Sequence, residues 1–155
     1  MTLLLLQPLL AAGDLPGITG GRARRVHRAT GVLLLGAVLV HVGGLWITSP
    51  PDVVDALLYA SPTPFSAWGV TAMWAMFCAA ALALSRRRLP FRPATWRSGH
   101  VLLATAVALT TVLHAALIDG TMERVTKIGL SALVLLATGR VIYLKFILPA
   151  RRRRG

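Results

Sequence analysis

The sequence contains four histidines, which form two pairs with the same spacing. Thirteen residues separate His27 from His41, and thirteen separate His100 from His114. A histidine can ligate a metal, relay a proton or only hydrogen-bond within a core, and a lone histidine in an apolar segment usually does the last. Four histidines at a duplicated spacing favour a functional role, because polar groups in apolar segments are costly to keep.

A separation of 14 positions is close to four turns of an α-helix. The two histidines of a pair then lie within about 40° of each other around the helix axis and roughly 21 Å apart along it. Zinc binding or a proton relay favours closer clusters. Two neighbouring helices with imidazoles at two matching levels instead suit two six-coordinate haems, each held between the helices.

The segments that carry the histidines are long and apolar. Of the 155 residues 55% are hydrophobic, above the 45–50% typical of soluble domains. Arg28, Asp55 and Arg97 are each followed by more than twenty uncharged residues, enough for a membrane-spanning helix of about 20 residues. A fourth apolar segment contains Arg140 and Lys145 near its C-terminal end, where long basic side chains can reach the membrane surface. The predicted spans are about 25–47, 65–84, 95–118 and 125–148.

The sequence therefore predicts an all-α membrane protein, a four-transmembrane-helix bundle with a short hydrophobic N-terminal segment. The stretch LLLLQPLLAA is too short to span a membrane, so we expect residues 1–21 to be interfacial or half-inserted. Residues 22–148 would form the transmembrane domain and 149–155 a basic cytoplasmic tail. The single cysteine, Cys78, excludes a disulfide framework or a cysteine metal site.

Charge placement predicts the orientation of the spans. The loops GRARRVHR and RRRLPFRPATWR and the terminal RRRR are basic, and they alternate with loops that hold four of the five acidic residues. By the positive-inside bias both termini are cytoplasmic, in a bacterial-type inner (plasma) membrane. The chain has a net charge of +12, and its basic residues lie beside the apolar spans. The expected partner is therefore membrane lipid, and no nucleic acid is expected.

This topology makes the first and third spans parallel. His27 and His100 then meet at the cytoplasmic level, and His41 and His114 meet near the outer level. We expect two haem b groups, the inner iron ligated by His27 and His100 and the outer iron by His41 and His114. Gly31, four residues after His27, would leave room beside the inner haem.

Basic side chains near the histidines are candidates to bind haem propionates. Arg28 and Arg97 flank the inner histidines and could form charge-assisted hydrogen bonds, although topology-setting charge is an equal alternative for each. Arg140 lies deeper in the fourth span and is a further propionate candidate, with plain snorkelling as the alternative. Trp96 lies near a span end, which is typical of the interfacial aromatic belt.

Two stretches resemble the ferric reductase-like transmembrane family, which includes metalloreductases, NADPH oxidases and the haem-binding subunit of the periplasmic methionine sulfoxide reductase system. HRATGVLLLGAVLVH is similar to the family's H-R-x-x-G-x9-H helix, and WRSGHVLLATAVALTTVLH is similar to its W-x3-H-x12-13-H helix. The resemblance covers roughly residues 20 to 147. Cytochrome b of quinol:cytochrome c reductases shares the histidine spacing, and the HRxxG element favours the ferric reductase-like family.

The resemblance implies electron transfer from a cytoplasmic or quinol donor, through the two haems, to an extracytoplasmic redox acceptor. Larger family members append FAD and NAD(P)H domains after the last span, whereas this sequence ends at LPARRRRG. We therefore expect the electron-transfer membrane component of an oxidoreductase, which receives electrons from a separate flavoprotein, a bound FMN or quinone, or a membrane quinol. The alternative is a haem-binding or haem-free anchor or structural subunit of a larger oxidoreductase or membrane complex.

Overall fold

The computed structural model describes residues 1–88, 90, 92–120 and 123–149. These residues form helices and no strand. The helices are α1 (Thr2–Ala12), α2 (Gly20–Thr48), α3 (Pro50–Leu57), α4 (Pro64–Leu84), α5 (Pro93–Leu117) and α6 (Arg124–Ile142). A 3-10 turn (Ser85–Arg87) follows α4, and a π-helical segment (Tyr143–Ile147) extends α6. The predicted basic tail, 149–155, lies outside the described residues except for Pro149.

Within the described part of the chain, four helices are long and apolar enough to span a membrane: α2, α4, α5, and α6 with its π-helical extension. Large apolar side chains cover their outer surfaces, and Val32, Leu102 and Leu136 are 69%, 71% and 71% exposed. Such faces are stable against lipid, which is as apolar as the side chains themselves. The prediction of an all-α, multi-pass membrane protein with a short N-terminal helix is confirmed.

Prolines mark the starts of three helices. Pro50, Pro64 and Pro93 occupy the first helical positions of α3, α4 and α5, where the missing N–H costs nothing and the fixed φ suits a helix. The observed bounds of α4 and α5 therefore lie close to the predicted spans. Helix α2 begins at Gly20, earlier than the predicted start near Arg25, so the basic stretch before His27 is helical.

Helix α3 lies in a segment that the charge pattern predicts to be a loop. Ser49 precedes it and donates its hydroxyl hydrogen to the carboxylate of Asp52. An acidic residue in the first turn also complements the helix dipole. Val53 is buried, so this short helix packs one apolar side chain although its sequence is rich in proline.

The described residues divide into two compact units. The first consists of the described parts of Met1–Gly36 and Glu123–Gly155, and the second of the described part of Ala37–Met122. In the first unit α1 packs against α6, and the buried apolar residues are Leu4, Leu10, Ala23, Val134, Ala137 and Val141. In the second unit α4 packs along α5 and also contacts α3, around Val53, Val70, Ala72, Met73, Val107 and Ala108.

Candidate functional site

The His114 side chain projects from α5 onto the first turn of α4. Its Nδ1 lies 2.8 Å from the backbone carbonyl oxygen of Phe65. A carbonyl oxygen can only accept a hydrogen bond, so Nδ1 must carry the hydrogen. In the neutral imidazole, Nε2 then has the free lone pair. This is the tautomer of a metal-ligating histidine whose other nitrogen is held by a backbone carbonyl.

Close approach of α4 fixes the position of the His114 ring. A Cβ built on Gly69 would lie 2.7 Å from both Cε1 and Nδ1 of this ring, well inside the 3.5–4.0 Å of an ordinary carbon contact. The Phe65 ring meets the imidazole edge-on, with centroids 5.9 Å apart and planes at 69°. Only glycine at position 69 leaves room for the imidazole in this orientation.

The His100 side chain is stacked on Trp96, one turn earlier in α5. The two ring centroids are 5.2 Å apart and the planes differ by only 6°. The Trp96 indole is held in turn, because its Nε1–H donates to the Leu82 carbonyl oxygen at 3.0 Å. The guanidinium carbon of Arg86 lies 4.6 Å from the centroid of the Trp96 ring, within the range of a cation–π contact.

The His27 side chain, in the first unit, is half-buried and lies beside Gln7 of α1. The Gln7 backbone interacts with the His27 imidazole. The Gln7 amide Nε2–H donates to Thr30 Oγ1 at 2.8 Å, and its Oε1 lies 3.7 Å from the position of a Cβ built on Gly31. In this structure Gln7 therefore occupies the space beside Gly31, the residue expected to leave room for a haem.

His41 lies in the part of α2 that belongs to the second unit, and its side chain is exposed. It shares this unit with His100 and His114, whereas His27 belongs to the first unit. Within the described residues, no three His, Cys, Asp or Glu side chains are close enough to hold a metal ion. A haem iron needs only two axial protein ligands, so single imidazoles on separate helices suit it.

The candidate propionate-binding arginines differ in their surroundings. Arg28 and Arg97 are exposed. Arg140 donates its Nε–H to both carboxylate oxygens of Asp14, at 3.0 and 2.8 Å, so a protein carboxylate already neutralises its charge. Asp14 was not among the residues singled out from the sequence. The sequence did contain a signal for such a partner, because an arginine within a membrane span needs a group of opposite charge.

These features define a class of protein: a multi-pass membrane protein whose helices present imidazoles on ordered side-chain supports. The chain belongs to the ferric reductase family, since the family described as "Ferric reductase like transmembrane component" matches residues 1–111. The matched range includes His27, His41 and His100 and ends before His114. No curated protein and no solved structure matches the chain. Membership confirms the resemblance noted in the sequence and indicates a membrane-embedded redox component.

Proposed function

We propose that the protein carries electrons outward across a membrane through two stacked b-type haems. His27 and His100 would ligate the inner iron, and His41 and His114 the outer iron. The family membership and the repeated spacing of the four histidines support this assignment. When bound, a haem supplies one-electron redox chemistry, and the protein supplies ligation, orientation and electrostatics.

The hydrogen bond between His114 and the Phe65 carbonyl is the observation that carries the proposal. It selects the tautomer with a free Nε2 lone pair and fixes the ring by a contact that a ligand histidine typically has. The hydrogen bond leaves Nε2, the nitrogen that would bind the iron, without a proton. The residues around His114 therefore fit an axial haem ligand, although this histidine lies beyond the range matched by the family.

The chain's basic residues have two roles in this proposal. The arginines before His27 and those between α4 and α5 would place both ends of the chain on the cytoplasmic side. Arg28 and Arg97, exposed near the inner histidines, would hold propionates at that level by charge-assisted hydrogen bonds. Arg140 fits this role less well, because its guanidinium Nε is committed to Asp14.

The proposed donor lies on the cytoplasmic side or in the membrane, as a separate flavoprotein, a bound FMN or quinone, or a quinol. The proposed acceptor is an extracytoplasmic redox partner. The membrane would be a bacterial-type inner membrane. The predicted topology and the resemblance to the family support the outward direction.

The test is the haem content of the purified full-length protein in detergent. We expect about two haem b per chain and a low-spin b-type α-band after reduction with dithionite. His114→Ala should lower the content to one haem. Thr105→Ala is the matched control on the same helix, because the Thr105 hydroxyl bonds within α5 to the carbonyl of Val101, and it should retain both haems. A wild-type protein without haem, or a His114→Ala variant with two, would refute the proposal.

A further inference from the structure

We propose that Trp96 is a positioning residue for the inner haem ligand: by stacking on His100 it sets the plane of that imidazole. The inference rests on the proposed function, because it gives His100 the role of an axial ligand. It goes beyond that function by assigning a role to a side chain that touches the ligand and not the iron.

The geometry of the stack supports this role. Trp96 and His100 are four residues apart on α5, a spacing that places two side chains next to each other on one face of a helix. Their planes are nearly parallel, at 6°, and their centroids are 5.2 Å apart. A side chain that only shared space with the imidazole would have no need to match its plane. The indole therefore restricts rotation of the imidazole about its bond to the Cβ atom.

The indole can restrain the imidazole because the protein also restrains the indole. The Trp96 Nε1–H donates to the Leu82 carbonyl oxygen at 3.0 Å, near the end of α4. The Leu82 side chain reaches to 3.4 Å from the position of a Cβ built on Gly99. Arg86 adds its guanidinium to the same indole at 4.6 Å. The end of α4 and the turn after it therefore hold the Trp96 indole in place. A tryptophan of the aromatic belt differs, because its N–H faces lipid headgroups and water.

Fixing the imidazole plane has an electronic consequence. The overlap of the axial imidazoles with the iron orbitals depends on the angle between their two planes. That angle governs the largest g value of a low-spin ferric haem and contributes to its reduction potential, which the surroundings of the axial ligands tune. A His100 ring free to rotate would change both properties without loss of the iron–nitrogen bond.

The experiment compares Trp96→Leu, which removes the aromatic plane, with Trp96→Phe, which keeps a plane but lacks the N–H. Trp74→Leu is the control, because Trp74 is half exposed on α4 and contacts the Phe77 ring edge-on. Each full-length variant is purified with its haems. The readouts are haem content, the electron paramagnetic resonance spectrum of the oxidised protein, and a potentiometric titration.

In Trp96→Leu we expect the largest g value of one haem to move and its potential to shift. The expected shift is at least a threefold change in the one-electron equilibrium constant, or about 28 mV at about 59 mV per tenfold. The shifted haem should be the one that His100→Ala loses. Trp96→Phe should shift by less than half as much, and Trp74→Leu should match the wild type. Trp96→Leu could instead lose one haem that Trp96→Phe retains. That outcome would support the proposal more strongly than a shift in potential.

Normal haems in the wild type with an unshifted Trp96→Leu spectrum would overturn this inference and leave the proposed function standing. Equal shifts, or equal haem loss, in the leucine and phenylalanine variants would also overturn it, because an aromatic plane at position 96 would then affect the haem no more than leucine does. A wild type without haem would overturn the proposed function and this inference together.

Discussion

Arg140 and Asp14 form an ion pair across 126 positions of sequence, in which the guanidinium Nε–H donates to both carboxylate oxygens. Asp14 follows the end of α1, and Arg140 lies in the last turn of α6. The pair joins these helices beyond the apolar contacts of Leu4 and Leu10, so the short N-terminal helix is held by charge as well as by packing.

Asp14→Asn should therefore loosen α1 from α6, because it leaves the Arg140 charge without its carboxylate. Maleimide labelling of a cysteine placed at Leu10, which is only 5% exposed, measures this opening in a Cys78→Ser background. We expect labelling to become a few-fold faster in Asp14→Asn. Asp119→Asn removes the same charge elsewhere and should leave the rate unchanged. Equal labelling in all three proteins would show that packing alone holds α1.

Gly69→Ala should displace His114. The added methyl group would lie 2.7 Å from two atoms of the His114 ring, and α4 packs along the helix that carries this ring. The ring must then turn away from the Phe65 carbonyl, which we expect to cost about 1–3 kcal/mol of stability, as overpacking does. In the haem-loaded protein the content should fall toward one haem per chain.

Gly129→Ala is the control for this variant, since nothing lies within 4 Å of a Cβ at that position. There alanine should be neutral or stabilise by up to about 1 kcal/mol through helix propensity. Thermal unfolding and haem assays of both variants make the comparison. If Gly69→Ala matched Gly129→Ala in thermal stability and haem content, the contact between α4 and the His114 ring would contribute nothing to stability.

The four histidines should separate into two pairs when each is replaced by alanine. His27→Ala and His100→Ala should each leave the same single haem, with one midpoint potential. His41→Ala and His114→Ala should each leave the other haem, with a different potential. The reason is that, in the proposed function, the two histidines of a pair would ligate the same iron. Potentiometric titration of the four variants distinguishes this pattern from one in which His27 and His41 share a haem.

The spanning helices could be predicted from the sequence because membrane insertion imposes a minimum apolar length. Long uncharged runs gave bounds within about five residues of those observed, and in the structure Pro64 and Pro93 mark two of the helix starts. Helix α3 was not predicted, because its eight residues contain two prolines and two aspartates and its stability depends on local capping. The levels of the histidines could also be predicted, because a separation of 14 positions in a helix fixes the angle and the distance between two side chains.

The supports of the histidines could not be predicted in the same way. The Phe65 group that contacts His114 is a backbone carbonyl, which every residue possesses, so no residue type marks it. The pairing of Asp14 with Arg140 depends on which helices pack together, and sequence distance gives no indication of that. Trp96 could have been connected with His100 by its four-residue spacing, but its position near a span end favoured the interfacial interpretation.

The stability of the first turn of α6 should depend on pH, because the side chain of Glu123 caps this turn. Its carboxylate accepts hydrogen bonds from the backbone N–H groups of Val125 and Thr126, at 3.1 and 2.9 Å. The bond from Thr126, followed by that from Val125, lowers the pKa of Glu123 below its ordinary value. A carboxyl group whose pKa is lower in the folded state stabilises that state above its unfolded pKa, and this contribution is lost as the pH falls through the folded pKa. Amide hydrogen exchange in the first turn of α6 should therefore accelerate in acid, within the range below the ordinary pKa of glutamate.

Glu123→Gln keeps an acceptor oxygen without a titrating proton, so its exchange, after correction for the intrinsic pH dependence, should stay level. A wild-type profile as flat as that of Glu123→Gln would mean that the cap does not hold the first turn of α6.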